Sequence, residues 1–119
     1  MLTPHPLEAA RLLGSNTGAV QADRLRAARQ LADRFGCTVV LKGSGTVIAD
    51  AGGVWINLTG NAKLAIAGTG DVLAGMIAAR LAAGESATAA ACGAVYLHGK
   101  AAEDWPPAMP LTAAALASG

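Results

Sequence analysis

The sequence predicts an α/β fold: helices packed on a few strands in a mixed sheet with a β-hairpin edge. Three observations carry this prediction. Residues 20–35 repeat apolar side chains at helical spacing, with Leu25, Ala28, Ala32 and Phe35 on one line and Leu31 alongside. Three short β-branched runs follow, at residues 37–41, 47–49 and 54–57, separated by glycine-bearing turns. A small-residue turn, Gly68-Thr69-Gly70-Asp71, then opens directly into a second helical segment. A helix followed by strands and then more helices is the pattern of an α/β layer with an antiparallel edge.

In chain order, Thr3-Pro4-His5-Pro6 is a rigid, extended entry, because each proline also restrains the residue before it. Residues 7–13 read as a short helix, with Pro6 suited to its first turn, Glu8 to its dipole and Gly14 to its end. Residues 15–18 read as a linker-like turn, and Gly36 as the cap of the amphipathic helix. The arginines of that helix read as a solvated face. Residues 58–67 lack a period and are expected to form a loop, which at this length favours a functional role. The helix over residues 71–83 carries Val72, Leu73, Met76, Ile77 and Leu81 on one side, with alanine and glycine on the rest, so both faces are expected to be covered. Gly84 ends it. Ser86 caps the next helix, which runs to about Glu103 with Val95, Tyr96 and Leu97 as its heavier contacts. A Pro-rich break over residues 104–110 precedes a final short helix that Thr112 would cap.

Composition bounds the function. The 119 residues suit one domain or part of one, and 53% are hydrophobic against 14% charged, so a core is expected. Much of the hydrophobic share is alanine, and aromatics are 3%, so each buried side chain contributes little area. The chain alone should be modestly stable unless more chain or a partner covers it. A net charge of +1 with scattered signs gives no footprint for nucleic acid. Cys37 and Cys92 form no CxxC pair and read as half-buried free thiols. The first residues lack a basic region and an apolar run, so no signal peptide is expected. No window holds 18 uninterrupted strongly apolar residues, so no membrane span is expected, and the cytoplasm is the expected compartment.

Several stretches can carry chemistry. A helix N-terminus presents unpaired N–H groups and the positive end of the helix dipole, and flanking glycines let a phosphate approach the backbone. Asp71, on that first turn, can act as a base toward a hydroxyl meeting the phosphate, or it can be a plain helix-start residue. Lys42-Gly43-Ser44-Gly45-Thr46 can be a tight turn between paired strands, or a phosphate loop with a cation at the end of a buried strand. His5 reads as a capping or surface residue, and His98 as a packed or helix-end histidine.

Residues 3–14 (TPHPLEAARLLG), 39–49 (VVLKGSGTVIA) and 59–78 (TGNAKLAIAGTGDVLAGMIA) resemble, in that order, the NAD(P)H-hydrate dehydratases of the ribokinase-like superfamily. Residues 96–99 (YLHG) are similar to that family too. The resemblance implies a ribokinase-like fold of which this chain is the C-terminal half, since members are considerably longer and the N-terminal strands are missing here. It implies phosphorylation of the ring hydroxyl of the S-form hydrate by ADP or ATP with Mg²⁺, then loss of phosphate to restore NAD(P)H. Asp71 matches the family acid that contacts the hydrate and would serve as general base. Lys42, Gly43, Ser44, Gly45, Thr46 and Gly70 match nucleotide contacts, and the amides of residues 68–70 would stabilise the transferring phosphoryl. His5 matches a hydrate-contacting histidine. Two positions depart from the family pattern: Leu7 replaces a glycine in His-Pro-Gly-Glu, and Ala67 stands where another glycine is common. The implied partners are the small-molecule hydrate and either further copies of the chain or a complementary N-terminal half. A vitamin-precursor kinase of the same superfamily, a non-catalytic nucleotide-binding module and an interaction fragment are the competing readings.

Overall fold

Two side-chain caps, Asn16 and Asp23, decide how the first part of the chain divides into helices. The computed structural model describes residues 1–43, 45–59 and 69–104. The chain forms two compact units, Met1–Asn57 and Leu58–Gly119.

In the first unit, α1 spans Pro6–Leu13, α2 Thr17–Ala22 and α3 Arg24–Phe35. Gly14 and Gly36 close α1 and α3 in the left-handed conformation, with φ of 65° and 61°. The single helix expected over residues 20–35 is broken at Asp23. There the backbone turns to φ −147°, ψ 80°, and the side chain accepts the Arg26 N–H at 3.1 Å, starting a new helix. Asn16 does the same for α2, accepting from Ala19 N–H at 2.8 Å, so the expected turn at residues 15–18 is already partly helical.

The buried stripe of α3 is Ala27, Ala28, Leu31 and Ala32. Leu25 and Phe35, expected on that stripe, are 44% and 45% exposed. The reason is rotational. Arg24 stands three and four residues before Ala27 and Ala28 and so heads the inward line, which turns Leu25 outward.

Strands β1 (Val39–Leu41), β2 (Val47–Asp50) and β3 (Gly53–Ile56) form a three-stranded antiparallel sheet in the order β1-β2-β3. Register pairs Val40 with Ile48 and Ile48 with Trp55. The β2–β3 turn is closed by Asp50, whose Oδ1 accepts from the N–H groups of Gly52 and Gly53 at 2.7 and 3.0 Å. Outside β1, Leu2 adds a parallel bridge to Val39, with Leu2 N–H donating to Thr38 O at 3.0 Å and Val40 N–H donating to Leu2 O at 2.8 Å. The sheet is therefore mixed, with its antiparallel hairpin edge at β3, as the sequence predicts. β1 is buried throughout, whereas Trp55 and Ile56 on β3 are exposed. Helices α1 and α3 supply one side of the core, where Leu31 and the small residues Ala9, Ala10 and Ala28 meet Val39, Leu41, Val47 and Ala49.

In the second unit, α4 (Thr69–Ala82) and α5 (Ala87–Glu103) pack together. Ser86 caps α5 by accepting from Ala89 N–H at 3.2 Å, and Gly84 turns the chain between them at φ 95°. Leu73 and Ile77 are buried on α4; Ala90, Ala91, Ala94, Val95 and His98 are buried on α5. Arg80 lies across α5 at Gly93, where any Cβ would strike its guanidinium, and pairs with Glu85 at 3.1 Å. The expectation that both faces of α4 are covered fails: Ala74, Gly75, Ala78 and Ala79 are exposed, and Leu81 is 40% exposed. Tyr96 and Leu97 are also exposed rather than packed. Alanine-rich sequence does not reveal which side of a helix is dry, because small residues satisfy either environment.

Neither cysteine is in a disulfide, and both are half-buried. Among the described residues no helix is long and apolar enough to cross a membrane. The expected loop beyond residue 59, the proline-rich break beyond Asp104 and the final helix lie outside the described residues.

Candidate functional site

The hairpin loop of residues 42–46 follows β1 directly, and α/β sheets present ligand sites at the carboxyl ends of their strands. Gly43 and Gly45 hold φ of 140° and 66°, conformations that side chains rarely adopt. Thr46 Oγ1 donates to Gly43 O at 3.0 Å, closing the loop on itself. Lys42 N–H donates to Pro4 O at 2.9 Å. Of residues 42–46, Lys42, Gly43, Gly45 and Thr46 lie on this connection; Ser44 lies outside the described residues. The described residues make a connection between paired strands, with Gly43 exposed and Gly45 half-buried.

The parallel bridge of Leu2 brings the His5 stretch to this same end of the sheet. His5 is the N-cap of α1: Nδ1 accepts from Glu8 N–H at 3.3 Å, and His5 N–H donates to Glu8 Oε1 at 3.1 Å, a reciprocal capping box. Its Nε2 lies 3.2 Å from the same carboxylate oxygen. The His5 N–H holds the Glu8 carboxyl below its ordinary pKa; slight desolvation opposes this, and the charges of His5, Lys42 and Arg11 assist it. His5 and the Lys42 loop are therefore neighbours within one unit.

Arg24 is the residue that sequence reading assigned wrongly. It is not part of a solvated face. One guanidinium nitrogen, Nη2, donates to Leu41 O, Lys42 O and Gly45 O at 3.4, 3.4 and 3.2 Å, while Nη1 donates to Gln21 Oε1 at 3.1 Å. Burial pushes its pKa down. A Cβ on Gly43 would run into this guanidinium. The available signal was positional: Arg24 follows a capping aspartate and heads the apolar line of α3.

In the second unit, Gly70 and Asp71 lie on the first turn of α4, Gly70 partly buried and Asp71 exposed. This is the helix end that favours negative charge. Gly68 and Ala67 lie outside the described residues. His98, buried on α5, behaves as the packed histidine expected.

The α/β fold is of the ribokinase-like class. A ribokinase-like superfamily protein of Enterococcus faecalis superposes on 98% of the chain with a TM-score of 0.86 at 32% identity, 41% of its own length being covered. Residues 1–118 match the family pattern described as NAD(P)H-hydrate dehydratase, and the chain belongs to that family. The ADP/ATP-dependent NAD(P)H-hydrate dehydratase of Bacillus subtilis, co-crystallised with ATP and Mg²⁺, superposes with a TM-score of 0.90 at 42% identity, covering 98% of this chain and 44% of that one. Among sequence relatives, the ADP-dependent (S)-NAD(P)H-hydrate dehydratase of Neisseria meningitidis serogroup B is 52% identical over 104 residues, 87% of this chain and 35% of that protein. The bifunctional NAD(P)H-hydrate repair enzyme of Mycobacterium leprae is 53% identical over 103 residues, 86% of this chain and 21% of that protein. The chain thus spans about a third or less of these two sequence relatives and under half of the solved structures it matches.

Proposed function

We propose that the chain carries the nucleotide-binding and catalytic side of an enzyme that dehydrates the S-form of NAD(P)H-hydrate back to NAD(P)H, using ADP or ATP. The observation that carries this reading is the juxtaposition of the His5 stretch with the Lys42 loop at the carboxyl end of β1, locked by the Lys42 N–H to Pro4 O bond. Family membership gives that corner its chemistry.

In this reading the loop of residues 42–46 holds the nucleotide, at a connection where Gly43 and Gly45 take positive φ and Gly43 is exposed. His5 contacts the hydrate, and Asp71 accepts the proton of its ring hydroxyl as that oxygen takes the phosphoryl group. Gly70 and its preceding amides, at the α4 N-terminus, stabilise the charge that spreads over the phosphoryl oxygens. The phosphate group then leaves with its C–O bond electrons, and loss of a proton from the neighbouring ring carbon restores the double bond. The nucleotide ends one phosphoryl group shorter.

Among the described residues no group of three or more His, Cys, Asp or Glu side chains is placed to hold a metal ion. Mg²⁺ would then be held mainly by the nucleotide's own phosphate oxygens and water, which leaves Asp71 free to act as the base. Bound on the phosphates, Mg²⁺ would neutralise their charge. The partners proposed are the small-molecule hydrate and either further copies of the chain or a complementary N-terminal half. The compartment proposed is the cytoplasm.

Calorimetric titration with AMP, ADP and ATP, paired with assay of dihydronicotinamide recovery from the S-hydrate, tests the reading. ADP or ATP binding with hydrate-dependent phosphate release is the expected result. Phosphorylation of a hydroxylated vitamin precursor without dehydration would replace it with a kinase. Binding without turnover when the missing half is supplied would reduce the chain to a nucleotide-binding module.

A further inference from the structure

We propose that Glu8 is a positioning residue for the hydrate: it holds the His5 imidazole with its proton on Nε2, so that His5 meets the hydrate as a hydrogen-bond donor and not as a base. This rests on the reading of His5 as a hydrate contact given above.

His5 starts from a restrained backbone. It precedes Pro6, which favours extended geometry, and it stands at φ −81°, ψ 169°. The carbonyl of Pro4 on its other side is taken by the Lys42 N–H at 2.9 Å. Both ring nitrogens then lie against one neighbour. Nδ1 accepts the Glu8 backbone N–H at 3.3 Å, and Nε2 lies 3.2 Å from Glu8 Oε1. A ring nitrogen that accepts an N–H presents its lone pair, so Nδ1 carries no hydrogen. In the neutral imidazole the single ring proton therefore sits on Nε2, facing a carboxylate oxygen. Glu8 favours this tautomer twice, through its amide at one nitrogen and its carboxylate at the other. The opposite tautomer would set two N–H groups against each other at Nδ1 and a lone pair against the carboxylate at Nε2.

The chemical consequence is a division of roles. A general base needs a lone pair within reach of the proton it accepts. His5 uses its one lone pair to cap α1, so taking the ring-hydroxyl proton there would break the cap. What the imidazole offers is the Nε2–H. Glu8 Oε1 also accepts the His5 backbone N–H at 3.1 Å, so the carboxylate oxygen is shared between two donors. The two side chains are 50% and 51% exposed, which leaves the Nε2–H within reach of a ligand oxygen. The acceptor that this donor suits is an oxygen of the hydrate, in its ring hydroxyl or its carboxamide. Of the two proposed hydrate contacts, His5 and Asp71, only the carboxylate of Asp71 is left to take the proton.

The test uses the full 119-residue chain, isotope-labelled in its histidine rings, in mildly alkaline buffer. The ring-nitrogen resonances of His5, told from those of His98 by their absence in His5→Ser, are expected to show a bare Nδ1 and a protonated Nε2. A proton on Nδ1 overturns the proposal, and this arm needs no ligand and no variant of Glu8. The S-form of NADPH-hydrate is then added. A shift of the Nε2–H resonance with Nδ1 still bare is expected, and protonation of Nδ1 on binding would make His5 the base and overturn the donor role. Glu8→Ala is expected to bind the hydrate about tenfold more weakly, the loss of roughly one hydrogen bond, with ring resonances of the Nδ1–H form appearing. Glu8→Gln, whose side-chain oxygen can accept the same two N–H groups, recovers most of that loss, which a need for the charge alone would not allow. A folded Glu8→Ala chain with wild-type hydrate affinity overturns the positioning role and leaves the hydrate contact standing. A wild-type chain with the proton on Nε2 that binds no hydrate, even with the missing half supplied, overturns the hydrate reading itself, and this role with it.

Discussion

Lys42 donates its backbone N–H to the carbonyl of Pro4 at 2.9 Å. That bond continues the parallel bridge between Leu2 and Val39 and sets the capped start of α1 beside the loop that leaves β1. Two stretches far apart in sequence become one corner, and the consequences of that corner can be measured.

His5 holds two roles there, and a pair of substitutions separates them. His5→Ala removes the cap of α1 and should lower stability by about 1 kcal/mol, read from chemical denaturation. His5→Ser restores a capping oxygen and should recover most of that loss. If His5 contacts the hydrate, His5→Ser still raises KM for the hydrate while leaving ADP affinity unchanged. Recovery of both stability and KM by serine would reduce His5 to a cap.

Gly43 and Gly45 both have positive φ, but their surroundings differ. At Gly45 the nearest atom to an added Cβ is Ile56 Cγ2 at 4.0 Å, so Gly45→Ala meets the left-handed penalty of about 1–2 kcal/mol and little else. At Gly43 the backbone is strained for any side chain and the Arg24 guanidinium occupies the space. Gly43→Ala should therefore destabilise more than Gly45→Ala and should also displace Arg24. Denaturation midpoints of the two variants check the order, and equal midpoints would mean that Arg24 does not fill this space in solution.

The Glu8 carboxyl is held below its ordinary pKa, chiefly by the hydrogen bond from the His5 N–H. A carboxylate with a lowered folded-state pKa stabilises the fold above its unfolded value and loses that contribution as pH falls through the folded one. The first unit should thus lose stability across that acidic window. Glu8→Gln should have a flatter pH dependence there, with a small loss at neutral pH because the side chain is exposed and screened. Melting temperatures taken across the window test this; parallel curves for the two proteins would contradict it.

The sequence made the strands with their glycine-bearing turns, the mixed sheet and the α5 cap legible, because each depends on local chemistry. Glycine at a helix end, serine before an alanine run and an aspartate two residues before a turn amide act through their own neighbours. The break at Asp23 was missed because an apolar period continued across it, and a capping side chain overrides period. Leu25 and Phe35 were placed inside for the same reason: the true inward line begins at Arg24, and no pattern rule puts an arginine at its head. The bare α4 face was misjudged because alanine fits both solvent and core. At the site, His5 and the Lys42 loop could be named from motif order, whereas the three carbonyls on Arg24 arise from tertiary contact, which no local motif announces.

Asp71 carries the central claim, and one exchange of parts tests it most directly. The matching portion of the meningococcal dehydratase, 52% identical over 104 residues, is replaced by this chain, and NADPH recovery from the S-hydrate is followed with ADP and Mg²⁺. The account predicts turnover by the hybrid and a loss of about a hundredfold or more in kcat for Asp71→Asn, with ADP affinity retained and stability changed by no more than about 1 kcal/mol. A folded hybrid that binds ADP but returns no NADPH, or one that turns over equally well with asparagine at position 71, would contradict it.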